Sequence, residues 1–134
     1  MRVVLDTNVL VSALLIPNST PSKILKQFRD GKWLLVISGA VLEEYGRVLR
    51  RKKFGLPLDQ IESILKIIES RSVRVIPSNR FEVILEDPSD NEFLDVAVEG
   101  KADCIISGDG HLLSLNTFKD ILILTPSAFI RRFG

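Results

Sequence analysis

Short apolar runs alternate with helical patterns along the whole chain. The runs lack polar alternation and are rich in Val, Ile and Leu, which is typical of strands covered on both faces of a parallel sheet. We predict strands at residues 2–5, 34–37, 73–76, 103–106 and 121–124. Cap residues between the runs predict helix starts near Thr20-Pro21, Ser38, Asp59, Ser89 and Thr125-Pro126.

This alternation predicts one domain over residues 1–134, an α/β fold built as a three-layer α/β/α sandwich with a mainly parallel five-stranded sheet. No linker or repeat interrupts it. A further helix, at residues 59–71, carries an apolar stripe that fits packing within the monomer or contact with a partner. In open sheets of this kind, ligands bind outside the carboxyl ends of the strands.

The composition limits the class of protein. With 46% hydrophobic and 26% charged residues the chain is expected to fold. Its apolar runs fall far short of the roughly 20 residues that cross a bilayer, and the start shows no secretory signal, so we expect a cytoplasmic protein with no membrane contact. A single Cys and a single His exclude an internal disulfide, and we expect any metal to be held by oxygen.

Two acids follow predicted strands. Asp6 ends the run Val3-Val4-Leu5, and Asp109 follows Ile106 after a Ser-Gly pair. Taken alone, Asp6 is equally well explained as a helix cap and Asp109 as a turn residue. Their equivalent positions at two strand ends favour a shared site.

Two further acids are placed by helical geometry. At about 100° per residue, Glu44 borders the apolar face of its helix, whereas Glu43 points to solvent. On the next acidic helix Asp90 lies at the centre of the apolar face, while Asp95 is expected to point away. A helix dipole explains a charge at Asp90 but not its inward direction.

Four carboxylates gathered in one place require a compensating cation or protons. An all-oxygen site of this kind suits Mg²⁺ or Mn²⁺, and such ions support phosphodiester hydrolysis. Asn8 and Ser107 are either supporting polar groups or simply a cap and a turn residue. Asp87 is either a turn residue or a more distant support.

The same residues carry a family resemblance. Four segments, in this order, resemble the motifs of PIN-domain proteins: Asp6-Thr7-Asn8, Leu42-Glu43-Glu44-Tyr45, Asp87-Pro88-x-Asp90-Asn91 and Ser107-Gly108-Asp109. The resemblance implies that Asp6, Glu44, Asp90 and Asp109 bind metal, with Asn8 and Ser107 as polar supporters.

The resemblance further implies an Mg²⁺- or Mn²⁺-dependent endoribonuclease, the toxin of a prokaryotic toxin-antitoxin pair with a cognate antitoxin, and a homodimer. The chain departs from the usual pattern twice. Ser107 stands where threonine is frequent, and His111 stands where an acid often follows. We expect the lone imidazole to be a solvated side chain.

Basic residues cluster at the end of the Glu44 helix. They either offset the helix dipole or hold an RNA backbone: Arg47, Arg50, Arg51, Lys52 and Lys53.

Two other classes of protein compete with the nuclease. One is an inactive or weakly active PIN-like module that binds RNA or a protein partner, against which the intact acid set argues. The other is an aspartyl-phosphate hydrolase or receiver domain, which Asn8 disfavours because it stands where a second aspartate is expected.

Overall fold

The structure is a computed structural model that describes residues 1–134. Its central sheet has six strands, in the order β3-β2-β1-β4-β6-β5. All neighbouring strands are parallel except β5 and β6, which are antiparallel. The strands are β1 Arg2–Leu5, β2 Leu34–Ile37, β3 Val73–Arg74, β4 Cys104–Ile106, β5 Thr117–Phe118 and β6 Ile121–Leu124.

Seven helices connect or follow these strands. They are α1 Thr7–Leu15, α2 Thr20–Arg29, α3 Gly39–Leu49, α4 Leu58–Arg71, α5 Asn91–Glu99, α6 Gly110–Leu113 and α7 Pro126–Phe133. Two single 3-10 turns, Lys52–Phe54 and Pro88–Asp90, precede α4 and α5. No helix is both long and apolar enough to cross a bilayer.

The predicted α/β/α architecture is confirmed, with six strands in place of five. The additional strand β5 has two residues and pairs antiparallel at the sheet edge, too short to leave a pattern in the sequence. The strand predicted at 73–76 ends at Arg74, although the Val75 amide still donates to Ile37 O over 2.9 Å.

Both faces of the sheet are covered. Three consecutive residues are buried in each of β1, β2 and β4, and consecutive strand residues point to opposite faces. The buried apolar side chains form a single cluster of 34 residues. One core therefore supports the whole chain.

Helix caps explain most helix starts, but not always with the predicted residue. Ser38 and Thr125 cap α3 and α7, with amide-to-hydroxyl distances of 3.2 and 3.1 Å, as expected. For α2 the cap is Ser19, one residue before the predicted start. For α4 the first helical residue follows Pro57, and Asp59 does not cap it.

The apolar stripe of α4 is used inside the monomer. Ile61, Ile64 and Ile68 are each at most 2% exposed, and α4 packs against α3 and β2. Of the two uses of this helix that the sequence left open, packing within the monomer accounts for the stripe.

Candidate metal centre

A cleft of about 150 Å³ opens at the carboxyl ends of β1 and β4. All four acids predicted from the sequence line it, although they come from four separate segments of the chain. Its lining residues are Asp6, Thr7, Asn8, Glu44, Val48, Arg51, Asp87, Ser89, Asp90, Phe93 and Asp109. Their roles as metal ligands remain predictions.

Asp6 caps α1 and also faces the cleft, so both sequence interpretations of this residue hold. Its Oδ1 accepts a hydrogen bond from the Asn8 amide at 3.3 Å, and its Oδ2 accepts one from Ser107 Oγ at 2.6 Å. Burial raises the pKa of Asp6, and the charges of Asp109 and Glu44 raise it further, while the two hydrogen bonds oppose this shift.

Ser107 joins two of the acids. The side chain is fully buried, and its Oγ donates to Asp6 while accepting the Asp109 amide at 2.9 Å. Asn8 is exposed and lies on the wall of the cleft, and its backbone amide donates a hydrogen bond to Asp6. These contacts fit the supporting roles predicted for both residues.

Glu44 lies on the inner edge of α3, as the helical geometry predicted, and Glu43 is exposed. Thr7 Oγ1 donates a hydrogen bond to Glu44 Oε2, and Arg47 Nη2 lies 3.8 Å from Oε1. Sequence reasoning assigned no role to Thr7. The signal available was its place between Asp6 and Asn8, since a β-hydroxyl at the start of α1 faces the same edge of the sheet.

Tyr45 fixes the position of α3. Its ring is fully buried, and its hydroxyl donates to Leu5 O over 2.6 Å. This bond ties α3 to the end of β1 and so places Glu44 beside Asp6. The hydroxyl contact was not predicted, because an apolar helical face does not distinguish Tyr from Phe.

Asp90 is 5% exposed, and its Oδ2 has no hydrogen-bond partner. It precedes α5 without capping it, and Ser89 does not cap the helix either, since its hydroxyl donates to Asp87 Oδ1 at 2.6 Å. Burial, with the charges of Asp109 and Asp87, raises the pKa of Asp90 to about 8. A buried carboxylate oxygen without a partner is the group that a bound cation stabilises.

Asn91 and Asp95 hold the segment at residues 75–90 against α5. In the Asn91 side chain, Oδ1 accepts from Val83 N and Ile84 N, and Nδ2 donates to Ile84 O and Pro88 O. These four distances are 2.9 to 3.1 Å. The prediction that Asp95 points away is wrong: it is 5% exposed and accepts the Phe81 amide at 2.7 Å. These contacts position the turn that carries Asp90.

Asp109 caps the short helix α6, accepting the His111 amide at 2.7 Å. One ligand atom from each of Asp90, Asp109 and His111 lies within 4.8 Å of the others. The His111 ring is therefore part of the acidic cluster rather than a freely solvated side chain, and a nitrogen joins the oxygen donors expected from the sequence.

The structure brings two of the five predicted RNA-contacting residues to the acids. Arg51 lines the cleft and Arg47 lies beside Glu44. Arg50 folds back against Gly46 of its own helix. Lys52 and Lys53 are exposed in the 3-10 turn outside the lining of the cleft.

The donor set fits a divalent metal ion. It consists of carboxylate oxygens with one imidazole, and Asp90, whose Oδ2 is buried and has no partner, lines the same cleft.

Comparison with known proteins places the chain in a family. A protein described as uncharacterized protein MJ1680 from Methanocaldococcus jannaschii is 38% identical, over 99% of this chain and 92% of that protein. VapBC2 from Rickettsia felis, solved bound to a promoter DNA fragment, has a similar fold, with 20% identity and a TM-score of 0.59 over 92% of this chain and 97% of that one. FitAcB from Neisseria gonorrhoeae is 19% identical, with a TM-score of 0.57 over 93% of this chain and 98% of that one. A sequence model of the PIN domain matches residues 2–111, which confirms the resemblance noted from the motifs: this chain belongs to the PIN domain family.

Proposed function

We propose that this protein is an Mg²⁺- or Mn²⁺-dependent endoribonuclease. Its family membership supports a nuclease in general terms. The observation that carries the proposal is the cleft itself, where Asp6, Glu44, Asp90 and Asp109 converge and one buried Asp90 oxygen has no protein partner. So many like charges in one cleft are costly unless a cation offsets them.

Asp6, Asp90 and Asp109 would hold the metal, with Glu44 as a further ligand or as the group that positions the attacking water. When bound by these residues, a divalent cation would act as a Lewis acid that lowers the pKa of water and offsets negative charge on phosphodiester oxygens. Thr7 keeps Glu44 in one orientation by bonding Oε2, while Oε1, 3.8 Å from Arg47 Nη2, can still accept a hydrogen bond from water. Ser107 performs the same task for Asp6 and for the Asp109 backbone.

Arg51 is the cleft residue suited to the RNA backbone. Arg51 lines the cleft together with the acids, and an Arg guanidinium presents a fork that matches phosphate oxygens. Arg47, already beside Glu44, extends this positive edge. The exposed Lys52 and Lys53 would add weaker attraction from outside the cleft.

The protein would act as the toxin of a toxin-antitoxin pair, with a cognate antitoxin as partner, and as a homodimer. The motif resemblance supports this role, as does the likeness in fold to VapBC2 and FitAcB. Light scattering of the purified chain measures the dimer, and co-purification with the product of an adjacent small gene tests the partner.

Cleavage of mixed RNA and single-stranded DNA with Mg²⁺, Mn²⁺ or EDTA tests the central proposal. We expect RNA cleavage that needs metal, and a loss of at least about 100-fold in Asp6→Asn, because a metal ligand is removed. Glu44→Gln should lose activity while the matched exposed variant Glu43→Gln retains it. Cleavage that persists in EDTA or in Asp6→Asn would overturn the proposal, and metal-free binding of RNA without cleavage would favour a binding module.

A further inference from the structure

The imidazole of His111 lies beside two of the acids of the cleft, Asp90 and Asp109. Its Nδ1 is 3.5 Å from Asp109 Oδ1, and a ring nitrogen, an Asp90 oxygen and an Asp109 oxygen all lie within 4.8 Å of one another. The His111 amide also donates to Asp109 Oδ1, which fixes the backbone that carries the ring.

These separations are close to those of ligands on one ion. With metal-to-ligand bonds of about 2.0 to 2.2 Å, two ligands of one ion lie at most about 4.3 Å apart. The three ligand atoms lie within 4.8 Å of one another, so no separation exceeds this limit by more than about half an ångström. The His111 side chain is 48% exposed, so its ring has room to turn and bring a ring nitrogen closer to the acids by that distance.

An ion pair with Asp109 does not account for the whole arrangement. Asp109 Oδ1 already accepts the His111 amide, and 3.5 Å is long for a charge-assisted hydrogen bond. The ion pair also leaves the buried Asp90 Oδ2 without a partner. A cation bound between the three side chains would give both the Asp90 oxygen and the ring nitrogen a partner.

We propose that the His111 imidazole is a direct ligand of the divalent cation held by Asp90 and Asp109, so that the site binds Co²⁺ or Zn²⁺ in preference to Mg²⁺. This inference rests on the metal site of the proposed function. Mg²⁺ favours a shell of oxygens and waters, whereas imidazole suits the later transition metals. An imidazole among the ligands therefore shifts the selectivity between metal ions, while the carboxylates of Asp90 and Asp109 still supply the negative charge that holds the ion.

Nuclear magnetic resonance of the ring gives a direct test without any RNA. His111 is the only histidine in the chain, so its ring signals form one unambiguous set. Titration of the purified protein with Zn²⁺ is expected to shift these signals until one equivalent is bound. The same titration of Asp90→Asn is expected to need a higher Zn²⁺ concentration.

Calorimetry of His111→Asn, which keeps a polar side chain at an exposed position, measures the selectivity. We expect Zn²⁺ and Co²⁺ binding to weaken by at least about 10-fold, the order lost when even an outer partner of a ligand is removed. Mg²⁺ binding should stay within about threefold, because its oxygen ligands remain.

The outcomes separate the two proposals. Ring signals that do not move with Zn²⁺, or equal weakening of Zn²⁺ and Mg²⁺ binding in His111→Asn, overturn the role of His111 while leaving the carboxylate site intact. If no divalent ion binds the wild-type protein, the metal-dependent function fails and the His111 proposal fails with it. Zn²⁺ binding that Asp90→Asn leaves unchanged places the ion elsewhere and overturns the proposal as well.

Discussion

Ser107 Oγ donates a 2.6 Å hydrogen bond to Asp6 Oδ2, although the two residues are 101 positions apart in the chain. The same hydroxyl accepts the Asp109 amide. One buried oxygen thus aligns an acid of the β1 end with the segment that carries an acid of the β4 end. A hydroxyl that can both donate and accept is required for this geometry.

Ser107→Ala is expected to lower metal-dependent RNA cleavage by about 10- to 100-fold, as outer partners of metal ligands generally do. Ser107→Thr, which keeps the hydroxyl, should retain most of the activity. The measurement is kcat/KM at saturating metal, with thermal unfolding as a check on folding. An alanine variant as active as wild type would show that Asp6 needs no such alignment.

Thr7→Val should reduce cleavage by about 10-fold, since it removes the hydrogen bond to Glu44 at nearly constant volume. Thr7→Ser is the matched control, because it preserves the hydroxyl with a smaller side chain. We expect the loss mainly in kcat, which single-turnover kinetics reports. Equal rates for the Val and Ser variants would mean that the hydroxyl does not orient Glu44.

Arg51→Ala is expected to raise KM severalfold and to reduce the slope of log affinity against log salt by about 1, the effect of losing one phosphate contact. Lys66→Ala is the control, because Lys66 is exposed on α4 and does not line the cleft. RNA binding at several salt concentrations measures both. Identical behaviour of the two variants would remove Arg51 from the binding surface.

The raised pKa of Asp90 predicts that the stability of the folded protein depends on pH. Its pKa is about 8 in the folded protein against 3.8 for the free side chain, so between these values the folded state holds a proton that the unfolded chain releases. In EDTA the protein should therefore lose stability as the pH rises from about 4 to about 8.

Asp90→Asn removes this group, so its Tm in EDTA should exceed that of wild type by several degrees at pH 8, and the difference should close towards pH 4. Added Mn²⁺ should raise the Tm of wild type at pH 8 and have a smaller effect on Asp90→Asn. Thermal scans from pH 4 to 9 provide the measurement. Parallel Tm curves for the two proteins would contradict the raised pKa.

Hydrophobic periodicity and motif spacing predict a residue's surroundings correctly where those surroundings are set by its own helix or strand. The helical angle between Glu43 and Glu44 correctly separated the exposed acid from the cleft acid, and the runs at 2–5 and 121–124 matched their strands to the residue. The same reasoning failed at Asp95. A helical wheel identifies the face of a helix that packs on the sheet. It does not show that a second face of α5 is covered by the irregular segment at 75–90.

Contacts between segments that are distant in the sequence could not be predicted from it either. The bond from Thr7 to Glu44 and the approach of His111 to Asp90 depend on how loops after different strands converge. Local sequence identifies such residues as polar loop or helix-start positions, and only the folded sheet decides which of them meet.

The bond between Ser107 and Asp6 has a consequence for synthesis of the protein. The cleft draws on residues from β1 through Asp109, so a nascent chain lacks it until β4 has emerged from the ribosome and paired with β1. A truncated translation product that ends before Ile106 cannot form this bond. The proposed ribonuclease would therefore be inactive during most of its own translation.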